Sequence, residues 1–214
     1  MYRIITIERE YGSGGAAIAS RLAEQLHWRL WDQSLTEEIA KIAQVDCRAV
    51  ERCDEKVDST LYRLAKVFWR GSYERSLPVE HARVFDTDCM VAEMQKVMER
   101  IAQEGQGVVV GRGAPYFLRE RSDVFHVFTY APRAEKIRRL RELGKSESEA
   151  AELVDTIDRE RIAFVKHYFG ADWPTRSLYH LMINTVIGDD NVIATILETM
   201  QRLEEAARPQ AVSR

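Results

Sequence analysis

Cysteine is scarce. Cys47, Cys53 and Cys89 are the three in 214 residues, and none forms a CxxC or a Cys/His cluster of zinc spacing. A disulfide framework and a structural zinc site are therefore not expected. Excess positive charge is missing too: 31 Lys and Arg against 34 Asp and Glu give a net charge of −3. That argues against a general nucleic-acid binder, while leaving room for a local basic pocket. No apolar run reaches the ~18 residues of a membrane span. The opening apolar run, Ile4–Ile7, meets Glu8-Arg9-Glu10 at once and leaves no signal-peptide core. The expectation is a cytoplasmic protein that engages no membrane. Internal repeats, low-complexity tracts and Pro/Ser linkers are also absent. At about 150 residues per domain, the length fits one domain, 1–214, with an insertion.

What remains is an alternation of short apolar runs and helical periodicity. Strands are expected at Ile4–Ile7, Arg29–Trp31, Val108–Val110, Val124–Tyr130 and Leu181–Ile183. Helices are expected over 16–26, 35–43, 133–143 and 146–169, and from Asp189 to about Ala207. Residues 47–104 show no convincing strand and read as a helical insertion, with 57–70 helical, a break at 71–78, and a last helix capped by Asp86 or Thr87. Strands alternating with helices predict an α/β fold with a five-stranded, mainly parallel sheet.

The strongest local signal is Gly12-Ser13-Gly14-Gly15 between a strand and a helix. Glycines there let backbone N–H groups approach an anion, and the helix N-terminus adds its dipole. Phosphate is the expected guest; a tight turn without ligand is the plain alternative. Two phosphate-binding readings fit. Gly12, Gly14 and Ala17, with Asp32 twenty residues after Gly12, match a dinucleotide fingerprint and would imply an NAD-dependent oxidoreductase. A modified mononucleotide P-loop is favoured because Glu8–Tyr11 separate the strand from the glycines and because arginines abound later in the chain. Aligned on Gly14, the P-loop lysine position holds Gly15 and the hydroxyl position holds Ala16. Arg9 is then the available cation, and Ser13 or water the available oxygen.

Arg112 follows a three-valine strand between two glycines, placed to grip a phosphate bidentately. Asp32 ends the second strand; it suits an acceptor contact, water-mediated help in holding Mg²⁺, or the N-cap of the next helix. Lys136, Arg138, Arg139 and Arg141 crowd one helix, where Glu135 and Glu142 can pair with Arg139 and Arg138. Arg159, Arg161 and Lys166 crowd the next. His180 and Asn184 read as turn positions satisfied by backbone, His167 as a helix-surface residue, and Trp28, Trp31, Phe68 and Trp69 as core or as cover for an acceptor. No Ser-His-Asp order, HExxH or metal-ligand cluster competes.

Four segments in this order resemble the cytidylate kinase-like proteins of bacteria, P-loop relatives of the nucleoside monophosphate kinases. They are Ile4–Gly15, Trp31-Asp32, Val108–Gly113 and Tyr179–Thr185; Asp158-Arg159-Glu160-Arg161, with the stretch from Lys166 to Trp173, resembles the family's lid. The family's loop is similar in lacking the lysine. The resemblance implies a three-layer P-loop nucleotide kinase fold with a lid over 133–170. It also implies phosphoryl transfer from ATP, with Mg²⁺, to a nucleoside monophosphate, CMP or dCMP foremost. Arg9, Gly12, Ser13, Gly14, Gly15 and Ala16 would then hold the donor. Arg112, Asp32 and Asp158 would hold the acceptor, and Arg112, Arg159 and Arg161 would serve the transfer. The missing lysine and hydroxyl leave a non-catalytic nucleotide-binding regulator as the rival. A small nucleotide is the expected partner, and the helices of 47–104 offer a face for a homodimer.

Overall fold

The computed structural model describes residues 1–32 and 87–207. The helices expected at 35–43 and 57–70, the break at 71–78, the capping of the helix after it, and the tail after Ala207 lie outside the described residues.

Five strands form one sheet: β1 (Ile4–Arg9), β2 (Arg29–Trp31), β3 (Gly107–Val110), β4 (Val124–Tyr130) and β5 (Leu181–Asn184). Their order is β2-β3-β1-β4-β5 and every pair is parallel. The helices are α1 (Gly15–Leu26), α2 (Thr87–Glu104), α3 (Ala114–Phe117), α4 (Arg133–Glu142), α5 (Glu147–Phe169) and α6 (Asp189–Ala207).

The pleat explains the layers. Alternate residues of a strand face opposite sides. Ile4 of β1 joins Val109, Val124 and Phe128 in a core with Met94, Met98 and Ile101 of α2 and Phe164 of α5. Ile5 and Ile7 face the other way, with Val108, Val110, Phe125 and Val127, onto Ile18 and Leu22 of α1 and Ile193 and Ile196 of α6. Both faces are covered, so the strands read as continuous apolar runs. Trp31 is buried in the α2 side of this core, while Trp28 is half-buried on the α1 side. A smaller cluster packs Tyr11 against Leu140 of α4 and Ala150, Val154 and Ile157 of α5.

Two expectations need correction. The first strand continues through Glu8 and Arg9, so only Glu10 and Tyr11 separate it from Gly12. The spacing therefore does not by itself disfavour a dinucleotide loop. Sheet order does: a dinucleotide fold places β2 beside β1, whereas β3 lies between them here.

Candidate functional site

The C-terminal ends of five parallel strands lie along one edge of the sheet, where α/β folds bind ligands. β1 ends there in the loop Glu10–Gly14, and Gly14, at φ +82°, caps α1. The loop is fixed from three sides. Glu10 N–H donates to Thr129 O at 3.0 Å, Ser13 N–H to Glu10 O at 3.2 Å, and Thr185 Oγ1 to Ser13 O at 2.8 Å.

Gly15 occupies the place of the P-loop lysine, and its surroundings say why no side chain is there. A Cβ would stand 2.6 Å from Thr129 Oγ1 and 2.9 Å from Arg9 Cβ. The Arg9 stem thus fills the space behind the loop. Its guanidinium runs on to the next strand end, where a Cβ on Gly111 would collide with it. Gly111 is also left-handed at φ +61°, a conformation open to glycine at little cost. Arg9 is almost wholly buried. Ser13 Oγ faces Thr129 Oγ1 at 3.2 Å, inside the protein. Ala16 brings no oxygen.

Gly111-Arg112-Gly113 closes β3 in three consecutive left-handed residues, with Arg112 at φ +61°. Such a conformation is uncommon for a residue with a Cβ. The Arg112 side chain is buried.

The α4–α5 hairpin is clamped to the loop by a charged network. Asp158 Oδ1 accepts Tyr11 N–H at 2.8 Å and Arg161 Nη1 at 3.0 Å; its Oδ2 lies 3.4 Å from Lys136 Nζ. Lys136 also donates to Glu10 Oε2 at 3.0 Å, and Arg161 to Arg9 O at 2.6 Å. Arg139 stands over Gly14 and bonds Glu135, Asp189 and Thr185 O. Glu135 grips both Arg138 and Arg139, and those hydrogen bonds hold its carboxyl down at about 2. Glu8 is buried beneath, and loss of hydration pushes its carboxyl above the usual range despite Arg161 and Arg9 nearby.

The structure thus brings Arg9, Gly12, Ser13, Gly14, Gly15, Asp158 and Arg161 into one assembly, with Arg112 at the neighbouring strand end. Asp32 is half-buried at the end of the edge strand β2. Arg159 projects from the exposed side of α5, where its charge acts on Asp155. Glu8, Glu10 and Tyr11 were missing from the sequence-based set. Their one signal is three charges in a row after a β-branched strand, ordinarily the mark of an exposed loop. His180 Nδ1 accepts the His126 N–H at 3.0 Å and Asn184 caps the turn after β5 through Val186 N–H.

The sequence from residue 4 to residue 187 matches that of the Cytidylate kinase-like family. The chain belongs to that family. It is accordingly a P-loop, nucleotide-binding protein of the nucleoside monophosphate kinase-like phosphotransferases. It is 26% identical over 136 residues to a cytidylate kinase of Methanosarcina mazei, a stretch covering 61% of this chain and 76% of that one. A crystal structure of an uncharacterized protein from Eubacterium ventriosum shares the fold with a TM-score of 0.64 at 20% identity, covering 92% of this chain and 98% of that one. A gluconokinase from Sinorhizobium meliloti 1021 shares it with a TM-score of 0.53 at 15% identity, over 94% and 93% of the two chains. The family match supports a nucleotide or small-molecule kinase, and the solved structures show the fold. Among the described residues no helix is long and apolar enough to cross a membrane.

Proposed function

We propose that this cytidylate kinase-like protein transfers the γ-phosphoryl group of ATP to a nucleoside monophosphate, with CMP or dCMP the leading acceptor. One observation carries the reading: the buried Arg9 fills the space behind Gly15 and reaches from the donor loop to Gly111. A fixed positive charge between a loop of amides and a second strand end suits a phosphoryl group in flight.

In this reading the amides of Ser13, Gly14, Gly15 and Ala16 cradle the donor phosphates at the N-terminus of α1. Arg9 takes the missing lysine's part, and Arg112 holds the acceptor phosphate. Arg161 and Asp158 keep the loop in shape; Arg159, on the exposed side of α5, is the lid arginine free to swing over the transferring group. Asp32 lines the acceptor side. The donor set fits nucleotide phosphates. For Mg²⁺ it offers no side-chain oxygen at Ala16, and Ser13 Oγ is turned to Thr129. Mg²⁺ would be held mainly by the phosphates and water, neutralising charge on the β- and γ-oxygens. The 133–170 segment is proposed as the lid and 47–104 as a helical insertion of a single P-loop domain. A cytoplasmic location and a homodimer through the insertion belong to the same proposal.

A second reading has its own observation. With no hydroxyl at Ala16 and Ser13 Oγ turned inward, the chain is a nucleotide-binding regulator without turnover. Transfer from γ-labelled ATP and Mg²⁺ to CMP, dCMP, UMP, AMP and GMP separates the two. Labelled diphosphate from one acceptor supports the kinase. ATP binding without transfer to any of them supports the regulator.

A further inference from the structure

Three consecutive residues lead from β1 into the glycine loop, and each is held by a different side chain of the α4–α5 hairpin. Arg9 O accepts from Arg161 Nη1 at 2.6 Å, the Glu10 carboxylate accepts from Lys136 Nζ at 3.0 Å, and Tyr11 N–H donates to Asp158 Oδ1 at 2.8 Å. The holding groups are themselves joined. Asp158 Oδ1 accepts from Arg161 at 3.0 Å, and Asp158 Oδ2 lies 3.4 Å from Lys136 Nζ. Lys136 and Arg161 are 8% and 9% exposed. Helix α4 comes this close because Gly12, left-handed at φ +79°, has no side chain; a Cβ there would stand 3.1 Å from Lys136 Cβ.

Charge separates this network from a phosphate site. Glu10 and Asp158 supply two negative charges, Lys136 and Arg161 two positive ones. Charges that already neutralise one another offer little net attraction to an arriving phosphate, and unpairing a buried one strands its partner. What such a network can do is fix backbone. It pins the carbonyl of Arg9 and the amide of Tyr11, and so sets the direction in which the Arg9 side chain leaves the strand. Both carboxylates converge on Lys136. Without it, Glu10 and Asp158 are like charges brought together where screening is weak.

We propose that Lys136 is a positioning residue for phosphoryl transfer. It touches no phosphate; through Glu10 and the Asp158–Arg161 pair it holds the Arg9 backbone, and so keeps the Arg9 side chain in its place behind Gly15. The inference rests on the donor-site reading above, in which Arg9 supplies the charge.

The test is steady-state transfer from γ-labelled ATP with Mg²⁺ to the best of the five monophosphates named above. Wild type, Lys136→Met, Arg9→Met and the double variant are compared, each with its urea midpoint. Lys136→Met keeps the stem and loses the charge. It should lower kcat by roughly 10- to 100-fold, the scale of a misplaced reacting group, with KM for ATP little changed. In the Arg9→Met background the same change should cost nothing further, since no charge is left to place. Losses that multiply overturn the proposal, because they would put the Lys136 ammonium on the substrate. A lowered urea midpoint with undiminished kcat overturns it too, because it leaves Lys136 a structural part alone. Should Lys136→Met fail to fold, Glu10→Gln takes its place in both comparisons, with the same outcomes. Wild-type protein that transfers to none of the five defeats the kinase reading itself, and the proposal with it. That outcome is distinct from transfer that is indifferent to Lys136.

Discussion

Gly15 and Arg9 are a matched pair. The absence of a side chain at one position makes room for the stem of the other. Gly15→Ala should therefore destabilise the fold by roughly 1–3 kcal/mol, as overpacking does, read as a lower urea midpoint. Its new Cβ meets a strand hydroxyl and the base of the Arg9 side chain, not the mobile end of a side chain. Arg112 makes a different prediction. A charged hydrogen-bonding contact of about 1.5–3 kcal/mol is at stake. Arg112→Ala should thus lower kcat/KM for the acceptor by roughly 10- to 100-fold. Unchanged steady-state kinetics would remove Arg112 from the acceptor site. In the sequence, Arg112 stood out because glycines flank it at a strand end. Glu8 did not, because a charge after a β-branched run reads as the start of a loop. It is buried at the end of the strand, where the Gly113 N–H reaches its carboxyl and Gly111, beyond β3, leaves room beside the Arg9 guanidinium.

At the scale of elements, the α4–α5 hairpin is fastened to the loop by buried charge and held together elsewhere by exposed charge. Lys136 and Asp158 have side chains 10% and 15% exposed, against 55% and 48% for Arg133 and Asp155. Removing one partner of a buried pair leaves the other stranded. Asp158→Ala should cost on the order of 3 kcal/mol, and Asp155→Ala less than about 1 kcal/mol, in parallel chemical denaturation. Equal losses would show that the clamp is not a structural link. The β1–β4 pair carries a pH dependence. His126 pairs with Thr6, with Nδ1 and Oγ1 2.7 Å apart, and burial lowers its pKa to about 4. Its ordinary value is about 6.5. Below that pH the unfolded chain takes up a proton that the folded chain refuses until about pH 4. Stability present at neutral pH is thus lost as pH falls through this window, by up to about 3 kcal/mol. His180, its pKa also lowered by burial, adds in the same direction. Urea midpoints at pH 7 and 4.5 check this, and His126→Leu should flatten the difference.

For the whole molecule, the three central strands β3, β1 and β4 were legible because each is a compact run rich in β-branched or aromatic residues and buried on both faces, and the edge strands β2 and β5 because each is a short apolar run. Arg29–Trp31 and Val124–Tyr130 occupy the expected positions, and so does the α5 helix that follows Ser146, whose hydroxyl accepts Glu149 N–H. Sheet order was not legible, since nothing local to Val108–Val110 says that it inserts between β2 and β1. That insertion is what separates the mononucleotide from the dinucleotide reading, and it joins Gly111 to the Arg9 side chain. The charged clamp was half legible: Asp158 and Arg161 stood out through a family resemblance, while Glu10 and Tyr11 read as spacers and proved to be its loop-side partners. In the proposed function, Arg9 does the work of the absent lysine. Comparing γ-phosphoryl transfer by the wild type and by Arg9→Met, which keeps the stem and loses the charge, tests it most directly. The expected result is transfer by the wild type and a rate about 10²- to 10³-fold lower in Arg9→Met, the scale of losing one preorganised charge at a transition state. Undiminished transfer by Arg9→Met in a folded protein would contradict it.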